Sequence, residues 1–502
     1  MSATAAPTPQ ASIGGHPRGL ATLFFTEMWE RFSFYGMRAL LTLFMTSQIV
    51  NGGLAFTDAT ATAIYGIYLS SVYLFSLPGG WIADRLVGAQ KAVWYGGIVI
   101  MIGHFVLAIP STQAFFLGLV LVVLGTGLLK PNISAIVGEL YTPEDSRRDA
   151  GFTIFYMGIN LGGFLGPLVC GFLAESESFG WHYGFAAAGV GMFLGLIQYR
   201  MTLHHLGGAG QSPTLDKTNP DDAKKITRGA VAVGIALGFF ALAVAGALFG
   251  VYTIDPLQTA KVLGIVILVI ALAYFFYIFA FGQLDGVEAR RMIVIVVLFF
   301  AAATFWSGFE QAGSSLNLFA ERYTDRNLFN FEVPASWFQS VNSLFIIIFA
   351  PFVAATWIWL AKRNLEPSTP FKFAVGLIFL ALGFVTMVGA SMIVVGGDKA
   401  LPTWLLMTYL LHTLGELTLS PVGLSATTKL APKRFVGQMM GVWFLATAFG
   451  SLIAGLVAGT FDTDNLAAYP DQYMNIVMFI GGAGLVMLLF TKPIRALMGG
   501  IK

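Results

Sequence analysis

The sequence predicts an all-α polytopic membrane protein with fourteen transmembrane helices, and two observations support this fold class. Of its 502 residues, 56% are hydrophobic and 11% are charged, whereas charged residues make up about a quarter of a soluble domain. The apolar residues are also grouped into fourteen windows, each long enough to supply the roughly 20 residues that cross the hydrocarbon core of a bilayer. This pattern excludes a soluble globular fold.

Gly, Pro and charge clusters separate the windows and mark the predicted helix ends. The predicted spans cover residues 20–50, 58–83, 91–110, 114–140, 150–174, 181–201, 229–252, 260–282, 291–320, 336–361, 371–396, 402–430, 435–460 and 472–492. The segment before the first span is small, polar and interrupted by Pro and Gly, and it lacks the basic start and short apolar core of a signal peptide. We therefore expect a disordered N-terminal tail.

The basic residues predict the orientation. An even number of spans places both termini on one side of the membrane, and the loops on that side hold 21 of the 28 Lys and Arg residues. The opposite loops hold Lys261, Arg322, Arg326 and Lys399. Because basic loops are retained in the cytoplasm, both termini are predicted to be cytoplasmic.

The longest polar connection, residues 204–229, follows the sixth span and divides the chain. The predicted organisation is a tail (1–19), a six-helix bundle (20–201), a linker with two additional transmembrane helices (202–288), a second six-helix bundle (289–497) and a short tail (498–502). The segments "LLKPNISAIVGELYTPE" (128–144) and "LTLSPVGLSATTKLAPK" (417–433) share a Ser-Ala pair and two Pro at nearly equal spacing. Parallel repeats of six helices are typical of major facilitator transporters.

The first span carries charges in "EMWERFSFYGMR" (27–38). On a helix, Glu27, Glu30, Arg31, Tyr35 and Arg38 fall within an arc of roughly 140° and form a stripe about 16 Å long. Charges at a span end can instead snorkel to the interface. Both signs along three turns favour a protein-lined aqueous cavity, because lipid exposure of this face would cost several kcal/mol.

Three isolated charges lie in other spans: Lys130, Glu310 and Glu416. Together with the stripe they give four carboxylates against three cations, so one carboxylate remains after pairing. A buried carboxylate binds a proton more readily when its cationic partner leaves or takes another partner. This property is what a proton-driven carrier requires.

A loop motif, "GGWIADRLVGAQK" (79–91), joins the second and third spans. The motif consists of Gly80, Asp84, Arg85, Gly88 and Lys91. The glycines permit neighbouring helices to approach closely, and the charged side chains can pair with the ends of neighbouring helices. We interpret it as a conformational latch rather than a substrate site.

These features together resemble the proton-dependent oligopeptide transporter family of the major facilitator superfamily, bacterial type, from about residue 20 onward. The most specific element is E-x-x-E-R-F, present as "EMWERF" (27–32). "GGWIADRLVGA" (79–89) follows, and "FYMGIN" (155–160) is similar to the family's F-Y-x-x-I-N motif. Two extra spans between six-helix halves are also a trait of bacterial members.

The resemblance implies substrate-binding positions for the two ends of a peptide. Those facing the peptide carboxylate would be Arg31, Tyr35, Tyr73, Lys130 and Asn160. Those in the second bundle would be Glu416 with Asn342 at the amino end, Trp306 and Trp443 as aromatic walls or gates, and Glu310. The implied proton-coupling residues are Glu27, Glu30, Arg31 and Lys130, and Glu310 paired with Arg38.

Two departures from the family pattern matter. Where members commonly have adjacent tyrosines, this sequence has Phe34 and Tyr35, so one hydroxyl is missing. The second span also lacks the histidine that some members use near the site, which leaves proton transfer to carboxylates.

The predicted function is therefore proton-coupled symport of di- and tripeptides by alternating access. A zwitterionic di- or tripeptide spans about 7 to 11 Å and needs a cationic and an anionic anchor. Symport of another small anion or metabolite and a peptide sensor without transport are the alternatives. A membrane-embedded hydrolase is disfavoured, because no H-E-x-x-H, G-x-S-x-G or paired catalytic Asp is present.

The expected partners are peptides, protons and the lipid bilayer. Protons serve as the coupling ion, and we expect no other cofactor, no metal, no nucleic acid, no obligate protein partner and no enzymatic activity. The resemblance to bacterial members implies a multi-pass protein of the cell (inner) membrane.

Overall fold

The structure is a computed structural model that describes residues 12–142, 145–211, 213–215, 219–461 and 463–500. Sixteen α-helices make up most of the described residues: α1 (Arg18–Thr46), α2 (Asp58–Ile82), α3 (Ala89–Leu107), α4 (Thr112–Glu139), α5 (Arg148–Ala174), α6 (Trp181–Thr202), α7 (Pro220–Leu248), α8 (Pro256–Phe281), α9 (Gly286–Phe309), α10 (Ser315–Tyr323), α11 (Ser340–Lys362), α12 (Thr369–Val395), α13 (Pro402–Leu430), α14 (Val436–Ala458), α15 (Tyr469–Leu489) and α16 (Thr491–Leu497). Two short hairpins accompany them, β1 (Ser12–Ile13) with β2 (His16–Pro17) and β3 (Asn327–Leu328) with β4 (Phe331–Glu332).

The helices confirm the predicted all-α membrane fold, because a helix lies at each of the fourteen predicted spans. In the described chain, eleven segments are long and apolar enough to cross a membrane. The other three predicted spans correspond to α1, α6 and α13, which have 29, 22 and 29 residues. These lengths are sufficient to cross a bilayer, and α1 and α13 carry charged residues that lower their mean hydropathy.

Side-chain caps explain where the helices of the linker region begin. Asn219 accepts a hydrogen bond from the Asp221 amide at the start of α7, nine residues before the predicted span. Asp255 accepts bonds from two amides at the start of α8. Asp285 and Glu288 form a reciprocal capping box at the start of α9.

The ninth predicted span, residues 291–320, is broken. Helix α9 ends at Phe309, a 3-10 turn covers Glu310–Gly313, and Ser314 leaves the helical region with ψ −100° before α10 begins. The backbone groups at such a break need partners inside a membrane. Two side chains donate to backbone carbonyls of the break: Thr42 to Gly313 at 2.7 Å and Tyr409 to Ala312 at 3.5 Å. Within the break, the Ser315 hydroxyl donates to the side-chain oxygen of Gln311 at 2.6 Å.

The chain forms two compact units, and their boundaries fall inside α1 and α2. The first unit contains residues up to Met37 and Phe75–Thr253. In it, α3 packs on α4 and α6, and α5 packs on α6. Its core joins apolar side chains of α1, α3, α4, α5 and α6, including Leu23, Ile133 and Met192.

The second unit contains residues Arg38–Leu74 and Ile254–Lys502. In it, α12 packs on α13 and α15, and α14 packs on α8 and α9. Buried Ala63 of α2, Ala260 of α8 and Leu452 of α14 form one apolar cluster. The part of α1 from Arg38 onward and the part of α2 up to Leu74 thus pack with helices of the predicted second bundle. The predicted division at residues 201 and 289 stays a prediction.

The N-terminal hairpin lies within the segment predicted to be a disordered tail. His16 Nδ1 lies 2.9 Å from the Tyr141 hydroxyl, and Arg147 donates to the Gly15 carbonyl at 2.7 Å. Arg147 also donates from its side chain and backbone to Asp145, which lowers the pKa of that carboxyl to about 2. These contacts order residues 14–17, whereas residues 1–11 lie outside the described chain.

Gly162→Ala is expected to destabilise the first unit. A Cβ at this position of α5 would lie 2.2 Å from the Met28 carbonyl oxygen of α1 and 2.9 Å from the Arg31 Cβ. Because backbone must move, we expect a loss of about 1 to 3 kcal/mol in unfolding free energy, measured as a lower melting temperature in detergent.

The matched control is Gly482→Ala in α15. A Cβ there meets no atom within 4 Å, and Ala is favoured over Gly in a helix by up to about 1 kcal/mol. The control should melt at or slightly above the wild-type temperature; equal melting of both variants would contradict the tight α1–α5 contact.

Candidate functional site

The first unit contains a buried charge cluster on α1. Arg31 is 2% exposed and is held by both carboxylate oxygens of Glu30, with Nη2 at 2.6 Å from Oε1 and Nε bonded to Oε2. Glu27 lies one turn earlier, with Oε1 at 3.4 Å from the Arg31 Nε. The second oxygen of Glu27, Oε2, is buried without a hydrogen-bond partner among the described residues. The predicted stripe is therefore a cluster of two carboxylates on one guanidinium.

Helix α4 contributes Lys130 to the same unit, and its positive charge acts on Glu27 together with that of Arg31. Pro131 follows Lys130 and cannot donate to the Gly127 carbonyl. Helix α2 packs closely against the Gly127 carbonyl: a Cβ on Gly79 would lie 2.0 Å from its oxygen. Glycine is thus required at residue 79, and it sets the distance between α2 and the helix turn that carries Lys130.

Two further predicted residues lie in the first unit. Tyr35 places its ring 5.8 Å from the Arg31 guanidinium carbon, while Phe34, which replaces a tyrosine of the family pattern, is closer at 4.7 Å. Asn160 is 4% exposed, and its amide donates to the Tyr156 carbonyl at 2.9 Å. Phe34 therefore contacts the Arg31 guanidinium through its ring and has no hydroxyl to offer as a hydrogen-bond partner.

The second unit contains the predicted pair of Arg38 and Glu310. Arg38 Nη2 lies 2.8 Å from Glu310 Oε2, and both side chains are buried. The pair is an ion pair without directed hydrogen-bond geometry, since Oε2 has no hydrogen-bond partner in the described chain. Arg38 Nε donates instead to the Tyr65 hydroxyl at 2.7 Å. Tyr65 was not identified from the sequence, because a tyrosine in an apolar helix carries no pattern of its own.

Glu310 is the first residue of the break between α9 and α10. Two hydrogen bonds join the break to the part of α1 that follows Arg38: Thr42 donates to the Gly313 carbonyl, and Asn317 donates to the Ala39 carbonyl at 2.9 Å. A Cβ on Gly313 would lie 2.0 Å from the Tyr65 hydroxyl. The Arg38–Glu310 ion pair and these hydrogen bonds to the backbone therefore all join α1 to the break and the start of α10.

A second carboxylate of this unit is Glu416 on α13, which is partly exposed. Asn342 of α11 donates through its Nδ2 to Glu416 Oε2 and to Thr413 Oγ1, each at 3.0 Å. The Thr413 hydroxyl in turn donates to the Tyr409 carbonyl at 2.6 Å. The structure thus brings Glu416 and Asn342 together as predicted, and it adds Thr413 as the residue that orients the amide.

The predicted aromatic walls also lie in the second unit. Trp306 is one turn before Glu310, stacks edge-on with Phe305 and Phe309, and has a buried indole N–H without a partner among the described residues. Trp443 of α14 packs edge-on against Phe373. Tyr73 lies in the α2 segment that belongs to this unit, and its role at the peptide carboxylate stays a prediction.

One ion pair of the second unit was missed by sequence reasoning. Arg322 of α10 donates to both oxygens of Asp58 at the start of α2, at 2.6 and 2.9 Å. This bidentate contact joins the end of α10 to the start of α2. Arg322 was assigned to a loop, and sequence alone does not bring two residues 264 positions apart into contact.

Exchanging the charges of this pair tests its contribution. Asp58→Asn should lower the melting temperature, because the side chains of Asp58 and Arg322 are only 17% and 23% exposed and removing one partner of a largely buried pair leaves the other charge poorly compensated. The double variant Asp58→Arg with Arg322→Asp should recover most of the loss. An Asp58→Asn variant that melts at the wild-type temperature in low salt would contradict a stabilising role.

The predicted latch forms a π-helical turn, Ala83–Val87, followed by Gly88 with φ 85°. A Cβ on Gly88 would lie 2.5 Å from the Gln211 carbonyl, so glycine is required there. Thr214 donates twice to the Asp84 carbonyl. The side chains of Asp84 and Arg85 are exposed and form no ion pair with any residue that the structure describes. The latch role of Gly80, Asp84, Arg85, Gly88 and Lys91 stays a prediction.

Comparison with known proteins identifies similar chains over nearly the whole length. A sequence model of the POT family matches residues 90–474. The chain is 46% identical over 501 residues to the uncharacterized transporter YclF of Bacillus subtilis, covering 98% of this chain and 97% of the relative. It is 43% identical over 492 residues to the peptide transporter YePEPT of Yersinia enterocolitica, covering 96% of each. The crystal structure of the peptide transporter POT in complex with sulfate has a TM-score of 0.89, 42% identity and 98% coverage of both chains.

Proposed function

The chain belongs to the POT family, and on this premise we propose that it is a proton-coupled symporter that imports di- and tripeptides by alternating access. The observation that carries the proposal is the distribution of charged side chains over the helices. One unit holds the cations Arg31 and Lys130, and the other holds the carboxylate of Glu416. A zwitterionic peptide needs one anchor of each sign.

The peptide carboxylate is held by Arg31 and Lys130, with Tyr35, Tyr73 and Asn160 as the expected assisting residues. A guanidinium can bind a carboxylate through two parallel hydrogen bonds, although Glu30 occupies that face in the described state. Substrate would therefore compete with Glu30 for Arg31. This competition links the arrival of the peptide to the charge state of Glu27 and Glu30.

The peptide amino group is held by Glu416, which Asn342 orients. The indole N–H of Trp306 is free to donate to a polar group of the substrate, and Trp306 and Trp443 provide apolar walls that accept varied side chains. Charged anchors at the ends with apolar walls between them suit a transporter that accepts many peptide sequences.

The proton is carried by Glu310, with Glu27 and Glu30 as a second possible site. Protonating Glu310 removes its charge attraction to Arg38, while Arg38 keeps its hydrogen bond to Tyr65. Because Glu310 lies where α9 is broken, loss of the ion pair would leave only hydrogen bonds such as those of Thr42 and Asn317 to join the break to α1, and would weaken this contact. Inward proton movement supplies about 2.3 kcal/mol per 100 mV, which is sufficient to concentrate substrate.

The remaining assignments complete the proposal. The protein is a multi-pass membrane protein, and we place it in the cell (inner) membrane with both termini in the cytoplasm, where most of its basic loops are predicted to lie. It performs no covalent chemistry, needs no cofactor or metal besides the coupling proton, and functions in the lipid bilayer without an obligate protein partner or nucleic acid.

Uptake into liposomes tests this function. Purified protein reconstituted into liposomes should accumulate labelled dialanine only with an inward proton gradient or a negative-inside potential, and an unlabelled dipeptide should compete. Accumulation that persists after a protonophore is added would refute proton coupling. Binding of dialanine without any flux would instead indicate a peptide sensor.

A further inference from the structure

A cavity of about 430 Å³ lies at the C-terminal end of α6, far in sequence from the charged residues discussed above. It is bounded by the start of α3, the last turn of α6 and the segment that follows. Its lining residues are Gln90, Arg200, Leu203, His204, Gly207 and Gln211. The Tyr199 hydroxyl donates to the Gln90 carbonyl at 3.1 Å, which fixes one wall.

The cavity favours an anion. None of its lining residues is acidic, and its two carboxamide groups are already committed: Gln90 Nε2 donates to the Ala209 carbonyl at 2.6 Å and Gln211 Nε2 to the Gly207 carbonyl at 2.7 Å. Arg200 and His204 lie one helical turn apart and remain as donors. Arg200 is exposed and forms no ion pair with a described residue.

A carboxylate of α4 anchors the segment that forms the cavity rim: Glu139 accepts a hydrogen bond from the Gly210 amide at 2.7 Å. Lys91, one residue after the lining residue Gln90, is exposed. The rim therefore combines positive charge with a fixed backbone.

An apolar strip continues from the cavity along α6. Phe193 and Ile197 lie seven and three residues before Arg200, on the same helical face, and are 47% and 42% exposed. On α3, which packs against α6, Tyr95 follows Lys91 by one turn and is 53% exposed. Within a membrane helix such a face contacts lipid chains.

We propose that this cavity and strip bind one anionic phospholipid. The phosphate lies between Arg200 and His204, and an acyl chain lies along Ile197 and Phe193. Charge complementarity supports this occupant, because basic pockets between membrane helices on the cytoplasmic side bind anionic headgroups, and α6 ends on the side predicted to be cytoplasmic. A zwitterionic lipid has no net negative charge to complement Arg200, and a soluble phosphate has no acyl chain to contact Ile197 and Phe193.

Native mass spectrometry of the full-length protein in detergent tests the proposal by counting bound lipids. Dioctanoyl-phosphatidylglycerol and dioctanoyl-phosphatidylcholine are the probes. The wild-type protein should bind the first phosphatidylglycerol more tightly than phosphatidylcholine, and Arg200→Gln should weaken that binding about fivefold, as expected for one cation near an anionic headgroup. Arg495→Gln, which removes an exposed cation of α16, is the matched control and should bind as wild type does.

Two more measurements separate the acyl-chain contribution from that of the phosphate. Ile197→Gln should weaken phosphatidylglycerol binding although it leaves the cation in place. Millimolar inorganic phosphate should leave the first lipid bound. Complete displacement by inorganic phosphate, or equal binding of phosphatidylglycerol to the wild type and Arg200→Gln, would overturn the proposal.

Discussion

Glu310→Gln is expected to abolish gradient-driven uptake of dialanine while leaving exchange of dialanine across the membrane partly intact. The amide has the size of the carboxylate but can neither release a proton nor attract Arg38, which lies 2.8 Å away in the wild-type protein. Exchange needs only the loaded carrier to reorient, whereas net uptake also needs the proton cycle. The measurement is labelled dialanine uptake into liposomes, with and without a proton gradient and with and without internal dialanine.

The control for this variant is Glu332→Gln. Glu332 lies in β4 and pairs with Arg326 at the same distance of 2.8 Å, but its side chain is 65% exposed. Loss of this pair should leave both activities unchanged, because an exposed ion pair contributes little. If Glu310→Gln lost uptake and exchange to the same extent, Glu310 would be needed for binding or folding rather than for coupling.

The fold was predictable because membrane helices follow from composition. The fourteen windows and the motifs of the first, second and fifth spans identified the POT family and its major facilitator fold, and both are confirmed. The break after Phe309 was not predictable, since the apolar residues continue through it. It depends on Thr42, Asn317 and Tyr65, which lie on other helices or beyond the break.

The site was predictable where charge is buried in an apolar span. Charge balance predicted that the charges in the spans pair, and the resemblance to the family implied which ones do. Arg31 with Glu27 and Glu30, and Arg38 with Glu310, lie in contact. Neutral partners were harder to find: Tyr65 and Thr413 bond the site residues through single hydroxyl groups. Many hydroxyl residues lie in the spans, and only the packing of α2, α11 and α13 selects these two.

Glu416→Gln is expected to raise the KM for dialanine about tenfold to a hundredfold, with a smaller change in the maximal rate. A hydrogen bond to a charged group contributes about 1.5 to 3 kcal/mol, and the amide loses the charge that attracts the peptide ammonium. Asn342 donates to the wild-type carboxylate at 3.0 Å, so in the variant it can still bond the amide oxygen, which preserves the local packing. The initial rate of proton-driven uptake over a range of dialanine concentrations measures the effect.

N-acetyl-dialanine distinguishes an anchor for the amino group from a general structural role. This peptide has no ammonium group, so it should compete weakly with labelled dialanine for the wild-type protein and lose little further affinity in Glu416→Gln. Asn342→Ala, which removes the amide that orients Glu416, should raise the KM for dialanine by less than Glu416→Gln does. An equal loss of affinity for both peptides in Glu416→Gln would show that Glu416 acts on the architecture of the second unit and not on the amino terminus of the substrate.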